Sequence, residues 1–406
     1  MNVAIIGGGA SGLVCAIEAS RKGHTVSVFE KNSKVGRKIL ATGNGKCNIS
    51  NQNISLSRYH GEAIHLMKEV LKRFDAPTCK TFFAKLGLEM REGEEGRLYP
   101  MSHQATSVVD TLLHEARSLG VHFFLESEVA KVEKKQSTFF LHVKEHIHTF
   151  DACVIATGSV AWKALGSSGS GYAFAKAFGH RLIEPFPSLV QCVGEQEDVR
   201  IASGVKMEST VELFVEHQNV QSVKGDLLFT DYGLSGSAIL EISRKASCAF
   251  LEEKHVHVVL DLLPNMSKEA LQSLFQKRLA CAKGKSLSLW LEGMIPKKLA
   301  LFILHREKLL HVKDASELGA KEIKKIVFAL KAQRLKLHGT KGFESAEVCA
   351  GGVDVREFDP KTLMSRKEEH LYFCGEVLDV DGDCGGFNLH FAWASGFCVG
   401  QSLSAS

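Results

Sequence analysis

The chain has 406 residues, enough for two or three domains with substantial cores, and its 45% hydrophobic and 24% charged content is that of an ordinary globular protein. No apolar stretch is long enough to span a bilayer and Met1 leads at once into a strand pattern without a basic leader, so no membrane association and a cytoplasmic location are expected. The 11 cysteines are scattered, odd in number and free of any C-x-x-C pair, which excludes a disulfide framework, a zinc site and a dithiol redox centre.

Residues 1–6 are an apolar run that feeds into Gly7-Gly8-Gly9-Ala10-Ser11-Gly12, and an apolar-rich helix leaves that turn. In this context Gly7 permits the tight turn, Gly9 lets the backbone approach a pyrophosphate, and Gly12 lets the helix pack on the strand. The phosphates then meet the unpaired N–H groups at the positive end of the helix. Gly23 ends the helix, residues 25–29 read as a second strand, and Glu30 closes it, 18 residues past Gly12. A carboxylate there accepts hydrogen bonds from a ribose. Together these features predict a dinucleotide site.

A loop rich in Gly, Asn and Ser follows over 36–53, then helical stretches near 61–74, 78–86 and 102–119. Residues 122–125, 128–133 and 139–143 are expected as three antiparallel strands ahead of an apolar parallel strand, 151–156, that ends in Ala156-Thr157-Gly158. Residues 190–262 alternate apolar and polar side chains with turn signals and predict a β-rich subdomain. Residues 267–338 read as mostly helical. One helix is expected over 321–338, with Ile323, Ile326, Val327, Leu330 and Leu337 on one side of a 3.6-residue wheel. Lys321, Lys324, Lys325, Lys331 and Lys336 fall on the other side, and Arg334 breaks the apolar stripe. From about Ala346 the pattern returns to α/β, with a strand at 371–374 and a helix over 388–403. The simplest α/β architecture is a discontinuous nucleotide-binding domain, 1–190 plus 345–406, holding a β-rich insert (191–264) and a basic helical insert (265–344).

Net charge is +4, unevenly spread: residues 265–343 hold 17 Lys or Arg against 6 Asp or Glu, a local +11, so the remainder carries −7. Such a basic segment suits a polyanionic partner, and a solvated helix face accounts for the same charge. The histidines show no metal-like spacing.

Four segments allow a narrower reading: 35–48 (VGRKILATGNGKCN), 96–100 (GRLYP), 227–236 (LLFTDYGLSG) and 375–389 (GEVLDVDGDCGGFNL). In that order, across the whole chain, they closely resemble a bacterial family of FAD-dependent oxidoreductases that includes aminoacetone oxidase, a reductase of unsaturated bile-acid intermediates and a ribosomal-RNA dihydrouridine synthase. The resemblance implies a Rossmann-like FAD-binding domain of the two-dinucleotide-fold type with an inserted domain. It places Gly7, Gly9, Ala10, Ser11 and Gly12 at the FAD pyrophosphate, and Glu30 and Lys31 on the adenosine side. Arg37, Lys38, Thr42, Gly43, Asn44, Cys47 and Asn48 would run beside the flavin. Val129 would meet the adenine side through its backbone, and Ala156, Thr157 and Gly158 would close over the pyrophosphate. Gly375 and Glu376 match the ribityl contact. Gly385, Gly386, Phe387 and Asn388 would start a helix aimed at the N1–O2 edge, where reduced flavin carries negative charge that a helix N-terminus stabilises.

Cys384 stands where that family often has Thr, His390 where Gln is common, and Ser237 where Pro is usual; Gly169-Ser170-Gly171 lacks an acid often seen between the glycines. These departures bear on substrate contacts rather than on FAD. One G-x-G-x-x-G is present and no second nucleotide domain, so NAD(P)H is expected to dock transiently as reductant. Cys47 is a candidate proton donor, with a small packing residue as the alternative. Tyr232 is a second candidate donor, with a core tyrosine as the alternative. The expected activity is hydride transfer from NAD(P)H through FAD to a polarised C=C bond, uridine in ribosomal RNA among the substrates, through contacts of the basic insert. Alternatives are a small-molecule amine oxidase or enone reductase, and a non-catalytic FAD-binding module that contacts RNA or protein.

Overall fold

The computed structural model describes residues 1–61 and 64–403. Two compact units divide the chain: Met1–Phe186 with Val348–Ser406, and Pro187–Glu347. No helix among the described residues is long and apolar enough to cross a membrane.

The first unit is built on a five-stranded parallel sheet. Its order is Leu371–Phe373, Ala152–Ile155, β1 (Asn2–Ile6), β2 (Thr25–Phe29) and His122–Phe124. The inner strands are buried almost throughout, as a parallel sheet covered on both faces requires. Helix α1 (Ala10–Arg21) follows β1 directly, and the terminal helix Phe387–Ser402 packs on α1. Gly396 makes that approach possible, since a Cβ there would lie 2.2 Å from the Ser11 carbonyl oxygen.

A second, antiparallel sheet comprises Val129–Lys135, Thr138–Val143 and His146–Phe150. The expected membership was different: 122–125 is a parallel edge strand on β2, and the third antiparallel strand is His146–Phe150. That strand carries an exposed Ile147 and polar neighbours, so its alternation is weak in sequence. The tight turn at Lys144 (φ 53°) sets its register instead. The helix expected near 61–74 is described as Ile64–Arg73, with 62–63 outside the described residues. Its successor, Ala76–Lys85, is capped by the Asp75 carboxylate, which accepts from the Thr78 N–H at 2.8 Å.

The second unit is a closed six-stranded barrel with helices around it. Its strands run Cys192–Gly194, Gly233–Ser235, Gln218–Phe229, Lys206–Val215, Val256–Asp261 and Gln333–Thr340, the last pairing back to the first. Two expectations are corrected here. Residues Ser237–Leu251 form a helix inside the segment read as β-rich, with Ala238, Ile239, Ile242, Ala246 and Ala249 buried at helical spacing. The helix expected over 321–338 stops at Lys331, and Gln333–Thr340 is a strand. Gln333, Leu335 and Leu337 point inward while Arg334, Lys336 and His338 point out, the period-2 pattern of a half-buried strand. Because that strand closes the barrel, the β-rich and helical segments form one body with one core, in which the rings of Phe229 and Phe302 lie 5.5 Å apart.

Candidate cofactor site

Within the first unit, three glycines shape a cradle at the start of α1. Gly7 has φ 111°, and a Cβ there would lie 2.3 Å from the Ala156 carbonyl oxygen. A Cβ on Gly12 would lie 2.0 Å from the Gly7 carbonyl oxygen, so strand, turn and helix interlock only without side chains. Gly9 differs: a Cβ there meets nothing within 4 Å. Gly9 caps α1 and offers no side chain to its first N–H groups. Space and free donors therefore coincide at the helix N-terminus, beside Ala10 and Ser11. Ala156, Thr157 and Gly158 line the neighbouring edge, with open space at Gly158.

Glu30 is 8% exposed and held from both sides. One carboxylate oxygen accepts from the Gly8 N–H at 2.9 Å, the other from the Asn32 N–H at 2.8 Å and the Asn32 amide at 2.6 Å. Sequence reasoning missed Asn32; its place two residues past Glu30 was the available signal. Asn32 also accepts from Arg37 at 2.8 Å, while Lys31 is half-buried. The Ser127 N–H donates to the Glu30 carbonyl, which brings the strand starting at buried Val129 alongside.

The loop after Arg37 ends in a tight hook. Gly43 and Asn44 form its exposed tip, and the Cys47 N–H donates to the Thr42 carbonyl at 3.0 Å. Cys47 has φ 56° and no exposed surface, and burial pushes its thiol up to about 12. The oxygen of the neighbouring Asn48 side chain is buried and has no hydrogen-bond partner. It lies against Gly386, where a Cβ would sit 2.8 Å from it and 2.5 Å from the Ser50 carbonyl oxygen. Gly386 has φ 100° and begins the terminal helix without a side-chain cap. An unsatisfied acceptor and unsatisfied donors thus face one region.

Lys38 and Glu376 are ion-paired at 2.6 Å, and the second Glu376 oxygen accepts from the Cys349 N–H at 2.9 Å. Ser11 donates to the Cys374 carbonyl at 3.3 Å, which ties Gly375 to the cradle. Other expected residues serve the scaffold. Asn388 spends its amide on Gly382, accepting at 2.7 Å and donating at 2.8 Å, and Phe387 packs against Tyr59. His390 is buried between the Ser50 hydroxyl at 2.8 Å and the Phe74 carbonyl at 3.0 Å; burial pushes it down to about 4. Tyr232 belongs to the second unit, half-buried, with the Lys341 ammonium 4.6 Å over its ring.

The residues present fit FAD: an open, donor-lined cradle for its pyrophosphate, a held carboxylate for its ribose, and an unpartnered acceptor beside an uncapped helix for its ring edge. Fold and site define a Rossmann-like flavoprotein, an FAD-dependent oxidoreductase by class. The model described as the HI0933-like protein Rossmann domain matches residues 1–402, and the chain belongs to that family. It is 37% identical over 404 residues to the 3-dehydro-bile acid delta(4,6)-reductase of Clostridium scindens, covering 99% of this chain and 98% of that one. It is 32% identical to the ribosomal RNA dihydrouridine synthase of Haemophilus influenzae and 31% to that of Escherichia coli. The former match covers 98% of both chains, the latter 99% of this one and 98% of the other.

Proposed function

We propose that this protein reduces a carbon–carbon double bond conjugated to a carbonyl, with NAD(P)H as electron donor. The observation that carries this reading is the uncapped N-terminus at Phe387 facing the same region as the unpartnered Asn48 oxygen. Bound FAD would supply the hydride-transfer chemistry, accepting two electrons from NAD(P)H and passing hydride to the substrate carbon. The helix N–H groups would stabilise negative charge at the ring edge, and the Asn48 oxygen would accept from a cofactor N–H or O–H. Gly9 and the first turn of α1 would hold the pyrophosphate, and Glu30 the ribose. The Lys38–Glu376 pair would fix the loop beside the ring. A thiol as buried as Cys47, pushed up to about 12, is too weak an acid and too enclosed to reach a substrate, and its role is to pack the hook.

Uridine within ribosomal RNA is the favoured substrate. Lys321, Lys324 and Lys325 are exposed on one helix and free to neutralise phosphates. A small-molecule enone is the second reading, favoured by the similarity to a bile-acid reductase.

Anaerobic mixing of the FAD-loaded protein with NADPH or NADH, with and without ribosomal RNA, tests the proposal. Bleaching by the nicotinamide, followed by reoxidation on adding RNA or an enone and slow reoxidation in air, is expected. Fast reoxidation in air with peroxide release would mark an oxidase and overturn it.

A further inference from the structure

The helix Ala320–Lys331 keeps Ile323, Ile326, Val327 and Leu330 in the core, yet its outer face is not uniformly polar. Phe328 lies there 56% exposed, in the same stripe as Lys321, Lys324 and Lys325. The Lys268 ammonium sits 5.0 Å from the centre of its ring, so a cation holds the ring while much of it stays open to solvent. The ring lies outside the buried cluster of the barrel unit, so the core does not require an aromatic side chain there.

Phe328 also forms one wall of a cavity of about 470 Å³. Gln333 also lines this cavity, but its side chain turns into the barrel and its oxygen is fully buried. The charged lining is nearly balanced, with Arg306, Lys308 and Arg334 against Asp198 and Glu307. Arg306 is held by Glu195 and by Asp198, the latter at 2.5 Å; His305 lies 3.5 Å from Asp198; Lys308, Glu307 and Arg334 also line the cavity. Excess positive charge is found on the helix face outside the cavity instead. An exposed ring with unpaired lysines around it is what an unpaired nucleotide requires. The base stacks on the aromatic, and its flanking phosphates meet cations.

We propose that Phe328, Lys321, Lys324 and Lys325 form a binding site for an unpaired nucleotide of single-stranded RNA, with the base stacked on Phe328 and its flanking phosphates met by the lysines. The site deepens the RNA reading given above and rests on it. It assigns recognition to an aromatic platform rather than to net charge alone, which the +11 segment by itself could not do.

The test uses the full-length, FAD-loaded protein and a fluorescein-labelled single-stranded RNA of about twelve nucleotides, within the span such sites occupy. Fluorescence anisotropy is followed over a salt series. The wild type is expected to bind. Phe328→Ala should weaken binding about tenfold at every salt concentration, the usual effect of losing one stacked base. Phe328→Tyr should bind like the wild type, and Lys324→Ala with Lys325→Ala should instead flatten the salt dependence. Unchanged FAD absorbance and melting temperature in Phe328→Ala would show that the fold is intact. Wild-type affinity in Phe328→Ala, with RNA still reduced, overturns the platform while leaving the RNA substrate standing. No RNA binding by the wild type removes both. Competition by saturating NADPH would reassign the cavity to the nicotinamide donor. Phe328-dependent displacement by polyglutamate would reassign it to an acidic protein.

Discussion

Lys38 and Glu376 meet at 2.6 Å although 338 residues separate them, and this contact joins the loop after Arg37 to the end of the strand Leu371–Phe373. Both side chains are partly exposed, so the pair is worth about 1 kcal/mol. Glu376→Gln keeps an acceptor for the Cys349 N–H and removes the charge. Its expected effect is a roughly fivefold rise in the FAD Kd with little change in melting temperature. Fluorescence titration of the apoprotein with FAD reads the Kd, and an unchanged value would show that the pair has no part in holding the cofactor loop.

Gly9 and Gly12 are three residues apart and should fail differently. Gly9→Val places its side chain in open space, so the protein should fold and melt normally but purify without the yellow absorbance of FAD. Gly12→Val drives a Cβ to 2.0 Å from the Gly7 carbonyl oxygen and should give insoluble or unfolded protein. Full FAD content in Gly9→Val would disprove the location of the pyrophosphate.

Lys331 stands apart from the lysines near it in sequence. Its ammonium contacts the Asp261 carboxylate at 2.6 Å, the Leu263 carbonyl at 2.8 Å and the Met266 carbonyl at 2.5 Å, and its side chain is 10% exposed. Lys331→Ala should therefore destabilise the barrel unit by about 2 kcal/mol, because three acceptors lose their donor. Lys321→Ala, Lys324→Ala and Lys325→Ala should leave urea midpoints unchanged. Equal behaviour of all four would contradict this division.

Cys47 is expected to resist iodoacetamide in the folded protein at pH 8, since its thiol has no exposed surface and is pushed up to about 12. Cys47→Ala should cost about 1–2 kcal/mol and loosen FAD. Rapid-mixing traces should then show the reductive and oxidative half-reactions affected together. Selective slowing of the oxidative half-reaction, by about 10²-fold or more, would restore the thiol as a proton donor.

His390 predicts an acid-sensitive fold. Its folded-state value of about 4 lies below the ordinary 6.5, so the unfolded chain takes up the proton first as pH falls. The stabilisation is fully present above pH 6.5 and is lost progressively as pH falls to about 4, a change of roughly 3 kcal/mol. His390→Gln, which can also hydrogen-bond Ser50 and Phe74, should lose less stability over that window. Urea midpoints at pH 7 and pH 4.5 measure the difference, and an identical loss in both proteins would assign the acid sensitivity elsewhere.

The glycine turn and Glu30 were legible from residues alone because each answers a short-range demand, whereas the Gly385-Gly386 helix start came from the family resemblance. A tight turn, a close backbone approach and a bare helix end are dictated within a few residues, and only glycine meets them. The same holds for the apolar runs of β1 and β2, which are buried on both faces. Partnerships across distant segments were not legible. Periodicity put Lys331 on an exposed face, and only the arrival of Asp261 and two carbonyls from another element turned it inward. Arg334 already interrupted the helical stripe, yet the strand that begins at Gln333 exists because two barrel edges, Val256–Asp261 and Cys192–Gly194, await pairing there. Likewise, the sequence left Cys47 open between a proton donor and a packing residue, and it is the packing around it that closes over its sulfur. Burial and pairing are properties of the whole chain's packing, so the tertiary structure alone decided which of these residues are free to act.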